Sequence, residues 1–236
     1  MLRKQLLNSN NLESARAKAL LLPGSAGDYA STPDSAALDV TGDIEGICYV
    51  AATDWTPAGT QSLGINKSLN TGSQRAWQFN LLSTGIIQVI TFSDGLSGSS
   101  ASSTAAPTIT DGSGIWLRFT KDVDDGAAGN TTTFYTSTDG PTTAPLSVSW
   151  TMLGVAVTNA GTTSIQAGTA EGSVGAINAG GVTQAFNGKI YRAQVYNGIG
   201  GTLVADFDPR RVAPGQKTLT DSVGNVWTTN GTARLI

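Results

Sequence analysis

The chain has no histidine and only one cysteine, and each absence removes a class of chemistry. Without histidine the usual general base, the usual proton shuttle and the commonest metal ligand are all missing, so a Ser-His-Asp triad is excluded. Cys48 alone can form neither an intrachain disulfide nor a cysteine-based zinc site. It lies in the apolar run Ile44 to Ala52, which predicts a buried small hydrophobe rather than a reactive thiol. Charge is scarce as well. Fourteen basic residues face 17 acidic ones, a formal charge of −3, so there is no electrostatic footprint for a phosphate backbone and no nucleic-acid partner is expected. No apolar run approaches about 18 residues, so no membrane-inserted helix is expected. The opening MLRKQLLNSNN has too short an apolar patch for a secretory signal peptide.

What is abundant is turn chemistry. Twenty-nine of 236 residues are glycine, and serine and threonine run throughout. The centre of the pattern is Gly114 to Gly140, where Ile115, Leu117 and Phe119 alternate with Trp116, Arg118 and Thr120. A polar Asp/Gly/Asn segment follows, and Thr131 to Ser137 resumes extended character: one long β-hairpin. Further strands are expected at Ala19 to Leu22, Asp28 to Ser31, Ile44 to Ala52, Ser62 to Ile65, Ala76 to Leu82, Ile86 to Phe92, Trp150 to Val157, Ala185 to Tyr196 and Leu203 to Asp208. Ile44 to Ala52 is largely apolar on both alternating faces, as an inner strand covered on both sides would be. Gly95 to Thr108 reads as a long flexible loop, and the glycines between Gly172 and Gly181 read as turns. Helical spacing is confined to the start, where Leu2, Leu6, Leu7 and Leu12 suggest a short helix or an extended arm. Residues 1–18 are therefore a candidate docking segment, and residues 19–236 a single domain. Many short strands with turns at this rhythm argue for an all-β, two-sheet antiparallel sandwich of the jelly-roll type.

Four stretches together resemble a known family: LPGSAGDYAS from Leu22, Pro33-Asp34 through Asp39-Val40-Thr41-Gly42-Asp43-Ile44 to Asp54-Trp55, the hairpin from Ile115, and Phe186-Asn187-Gly188-Lys189-Ile190-Tyr191 through Asn197 to Gly201. They look like laminin-G-like, concanavalin A-like jelly-roll proteins, and more narrowly like the minor tail proteins of tailed bacteriophages. The resemblance implies two sheets packed face to face, with Thr218 to Ile236 returning to pair near the first strand. It also implies a non-enzymatic virion structural protein on a tail or capsid surface, with other virion proteins as partners, a homo-oligomeric state, and host surface glycan as a target. A capsid decoration protein or head fibre is one alternative; a bacterial surface lectin or glycoside hydrolase is another.

Some concanavalin A-like proteins are glycoside hydrolases, which need two carboxyl groups about 5 to 5.5 Å apart for retaining chemistry. Only Glu13, Glu45 and Glu171 are available as glutamates, so no catalytic residue is assigned. Asp122, Asp124 and Asp125 resemble half a calcium loop but lack the distal glutamate, and an Asp/Gly-rich hairpin turn is the favoured account of them. Among the tryptophans, Trp116 is out of phase with the apolar alternation around it, which makes it, with Arg118, the candidate for a sugar contact.

Overall fold

The computed structural model describes residue 16 and residues 18–178 and 181–236. Its strands, in chain order, are β1 Leu20–Pro23, β2 Tyr29–Thr32, β3 Ile44–Ala52, β4 Gln61–Ser62, β5 Ile65–Leu69, β6 Gln74–Leu81, β7 Ile87–Phe92, β8 Gly98–Ser102, β9 Gly114–Asp122 and β10 Gly129–Ser137. They continue as β11 Thr151–Met152, β12 Val157–Ala160, β13 Gly172–Val174, β14 Ile177–Asn178, β15 Val182–Thr183, β16 Asn187–Asn197, β17 Thr202–Phe207, β18 Thr218–Thr220, β19 Val226–Asn230 and β20 Arg234–Leu235. Helix among the described residues is limited to three single 3-10 turns. The leucines of the expected docking arm, Leu2, Leu6, Leu7 and Leu12, lie outside the described residues.

Sheet A runs β11-β10-β9-β3-β16-β1-β20, and sheet B runs β18-β19-β2-β13-β5-β6-β7-β8. Each has nine strands, counting β12 and β17 in sheet A and β4 in sheet B. This is the all-β, two-sheet antiparallel jelly-roll sandwich expected from the strand rhythm. The hairpin forms as read, with Phe134 opposite Phe119 and Ser137 opposite Trp116. The chain end also returns to its start: β20 pairs with β1 through Leu235 opposite Leu20, while β19 pairs with β2 in the other sheet.

Alternation decides what each strand offers the core. On β3, Ile44, Gly46, Cys48, Val50 and Ala52 share one face, and Glu45, Ile47, Tyr49 and Ala51 share the other; all nine are buried. Phe119 crosses the interior to meet Phe79 of sheet B, with ring centroids 4.9 Å apart. Gly46 makes room for it, because a Cβ there would come within 2.2 Å of the Phe119 ring. Burial pushes the Cys48 thiol pKa up, as expected of an inert core cysteine. Two lysines are also interior. Lys67 reaches Asp34 and Asp39 at 2.6 Å each, and Lys121 donates to Asn130 Oδ1.

Four strand assignments are corrected. Ser62 to Ile65 is not one strand but the end of β4 and the start of β5, with 63–64 between them. Gly98–Ser102, inside the segment read as a flexible loop, is β8 and pairs with β7 from Phe92 to Gln88. Gly172–Val174, read as turns, is an interior strand bonded to both β2 and β5. Trp150 to Val157 is not one strand: Gly154, with φ +74°, breaks it into β11 and the start of β12, both laid along β10.

Candidate functional site

The outer face of sheet A holds the residues that the sequence put forward. Trp116 is fully buried there, stacked edge-on between Tyr49 at 5.3 Å and Trp150 at 6.4 Å, and its Nε1 donates to the Gly140 carbonyl. Trp116 therefore has no face open for a sugar. Arg118 is the other candidate for a sugar contact. It does lie on the outer face, but its Nη2 donates to Glu45 Oε2 at 3.0 Å, its Nε lies 2.9 Å from Glu45 Oε1, and its guanidinium sits 4.9 Å from the centroid of Tyr135. Farther along the same face, Asp206 is 1% exposed and accepts from Arg192, Gln194, Arg211 and Ser222. Burial alone would raise the Asp206 pKa; the Ser222 hydroxyl, Arg192 and Gln194 together outweigh it and hold the carboxyl below the usual range. Glu45, Arg118, Arg192 and Asp206 on this face are thus each committed to a partner.

The acidic hairpin tip is committed too. Asp122 accepts from the Asp124 backbone N–H, Asp124 from that of Gly126, and Asp125 from those of Ala127 and Gly129 and from the Thr131 hydroxyl. The backbone bond from Ala127 is the main reason the Asp125 pKa lies below its ordinary value. These are side chains mimicking turn hydrogen bonds. Among the described residues no three acidic, cysteine or histidine side chains cluster at a metal-binding spacing. Glu45 is tied to Arg118, and Glu171 accepts from Asn178 Nδ2 at 3.0 Å.

Sheet B is different. Across β6, β7 and β8 its outer face carries Gln78, Gln88, Ile90, Phe92 and Ser100, and the β14–β15 hairpin overhangs it through Ile177 and Thr183. Between them lies an open cleft of about 430 Å³, also lined by Asn70, Arg75 and Gln184. The strand pairing sets its floor: Gln78 lies opposite Ile90, Ile90 opposite Ser100, and Asn80 opposite Gln88. At Gly98 a side chain would come within 2.7 Å of Ile90 and 2.8 Å of Phe92, so the glycine keeps the floor unobstructed.

The hydrogen-bond inventory of this cleft is incomplete within the protein. Gln78 donates through Nε2 to Ser68 and Gln88 to Ser102, and no donor among the described residues meets either Oε1. Both amide atoms of the fully buried Asn80, and Gln184 Oε1, have no partner among the described residues. Gln184 also has φ +53°, a left-handed backbone that a non-glycine residue adopts at a cost of about 1 kcal/mol or more. Unpaired buried amides are uncommon in folded proteins, and clustering beside strained backbone marks a place to look for a ligand. No sequence motif marks these residues: Gln78, Asn80 and Gln88 are ordinary polar strand positions that only the pairing of β6, β7 and β8 brings together, and Gln184 follows β15.

The molecule is thus a two-sheet jelly-roll sandwich whose sheet A outer face pairs most of its buried polar groups internally and whose sheet B outer face carries an open polar cleft. No protein-family model matches the chain, and no curated protein does. Solved structures do. A candidate carbohydrate binding protein of Bacteroides ovatus ATCC 8483 aligns with TM-score 0.54 and 13% identity over 92% of this chain and 61% of that one. The CBM40 of the Ruminococcus gnavus IT-sialidase, bound to α2,3-sialyllactose, aligns with TM-score 0.51 and 12% identity over 78% of this chain and 94% of that one. At such identities the likeness is one of fold.

Proposed function

We propose that this chain is a non-catalytic carbohydrate-binding jelly-roll module whose saccharide site is the cleft on sheet B. The observation that carries this reading is the set of amides at Gln78, Gln88 and Gln184 that line one cavity with an Oε1 that no donor among the described residues meets. Amides donate and accept at once, which suits vicinal hydroxyl groups, and a pocket of this volume accommodates one to three sugar rings. The carbohydrate-related names of the fold neighbours support the same reading. We further propose that the module is displayed on a phage virion, at the tail or capsid surface, where it meets host surface glycan. That part rests on the sequence resemblance around Leu22 to Ser31 and Phe186 to Gly201.

The test is a glycan array probed with the full chain, followed by calorimetry of each hit against Gln78→Ala and Gln88→Ala. The reading expects hits that both substitutions weaken at least about tenfold while the melting temperature holds. An empty array, or hits insensitive to both changes, overturns it. Immunogold labelling of phage particles tests the display. Gold on tails or heads supports it; label confined to a bacterial surface would favour the lectin alternative, and labelled particles with no glycan binding would favour decoration.

A further inference from the structure

We infer that the cleft on sheet B selects an anionic saccharide, one whose carboxylate or sulfate lies against Arg75. This rests on the reading of the cleft as a saccharide site and adds the class of sugar. Among the residues lining the cleft, Arg75 is the single charged one; the rest are amides, hydroxyl groups, glycine and apolar side chains.

Arg75 is also fixed in place without being neutralised. Its Nε donates to the Gly95 carbonyl at 3.1 Å, its Nη2 donates to the Leu96 carbonyl, and its guanidinium carbon sits 4.6 Å above the Phe92 ring. Carbonyls and a ring face orient a cation, but they do not cancel its charge. Arg118 on β9 and Arg192 on β16, by contrast, each have a carboxylate within 3.3 Å or less. Arg75 has none within 4.0 Å among the described residues, and its Nη1 has no partner there. Asp94, the acid nearest in sequence to the turn that holds Arg75, accepts instead from the backbone N–H groups of Leu96 and Ser97.

Phe92 is covered on that face by Arg75, so it is not free to stack against a pyranose there. The cleft therefore offers hydrogen-bonding amides with one preoriented positive edge, and an acidic sugar supplies the missing counter-charge. Hydroxyls would fill the Gln78 and Gln88 acceptors while the anionic group meets Nη1.

Matched probes separate charge from shape. Calorimetry of the full chain would compare trigalacturonic acid with its methyl ester, and 3′-sialyllactose with lactose. The inference expects the acidic partner of at least one pair to bind about tenfold tighter, and to weaken as salt rises from 20 to 300 mM. Arg75→Gln should bring the two partners to within about twofold of each other. Because Arg75 also holds the 95–96 turn, the salt dependence of the unmodified chain is a second readout that needs no variant. Equal binding of acidic and neutral partners, insensitive to salt, overturns the anionic assignment and leaves the saccharide site standing. If neither partner of either pair binds while neutral array hits respond to Gln78→Ala, the anionic assignment fails alone; no binding by any saccharide fails both.

Discussion

The outer faces of the two sheets start from similar materials: aromatic rings, arginines and amides on alternating strand positions. On sheet A these groups satisfy one another. Glu45 meets Arg118, Asp206 meets Arg192, and Trp116 is enclosed by Tyr49, Trp150 and the Gly140 carbonyl. On sheet B, Gln78, Gln88, Gln184 and Arg75 line a cavity and stay partly unmatched. A closed polar network supports the fold, whereas an open one offers itself to something outside. The side chains that look most like a binding site from sequence are thus structural, and the inconspicuous amides are the candidates for function.

If that division is right, substitutions on sheet A should act on stability and those on sheet B on binding. The largest effect is expected at Trp116→Ala, which empties a fully buried indole position and should cost about 3–5 kcal/mol in urea unfolding. Glu45→Gln removes the carboxylate from a largely buried pair with Arg118 and should cost about 2 kcal/mol, with saccharide affinity unchanged in the remaining folded protein. Gln88→Ala should show the reverse: stability within about 0.5 kcal/mol and affinity down about tenfold, equivalent to about 1.4 kcal/mol.

The acid limb of stability provides a further check. Asp206 has a folded pKa below its unfolded value of about 3.9. Its contribution is therefore fully present above that value and disappears as pH falls through the folded pKa. Thermal melts from pH 7 to pH 2.5 should decline more steeply for the unmodified chain than for Asp206→Asn, which starts lower. The smallest effect is expected at Gln184→Gly. Relieving φ +53° and removing a buried unpaired carbonyl should raise stability by about 0.5–1 kcal/mol, while binding weakens. A gain in stability with a loss of affinity is the pattern of a residue retained for a ligand.

The fold was far more legible than the site. Ile115, Leu117 and Phe119 alternate cleanly and placed β9, and β-branched Thr131 to Thr133 placed β10. By contrast Gly98–Ser102 has only Ala101 buried, so no apolar period could announce β8; its strand character comes from hydrogen bonds to β7. Gly172–Val174 is hidden for a related reason, since two flanking strands make it extended and Val174 is its one large apolar residue. Trp116 and Arg118 alternate out of phase with the core residues of β9, but residues 138–150 fold back over them through Gly140 and Trp150, and that cover leaves no trace in the alternation. The cleft was invisible because glutamine on an outer strand face ordinarily points to water. What sets Gln78 and Gln88 apart is the β14–β15 hairpin, nearly a hundred residues away in sequence.

The measurement that bears most directly on the division between faces is a side-chain ¹⁵N–¹H spectrum of the full chain, titrated with the tightest array ligand. The account expects the amide signals of Gln78, Gln88 and Gln184 and the Nε signal of Arg75 to move together, while the indole signals of Trp116 and Trp150 stay still. Movement of the tryptophan and Arg118 signals with the glutamines unmoved would place the ligand on sheet A and contradict it.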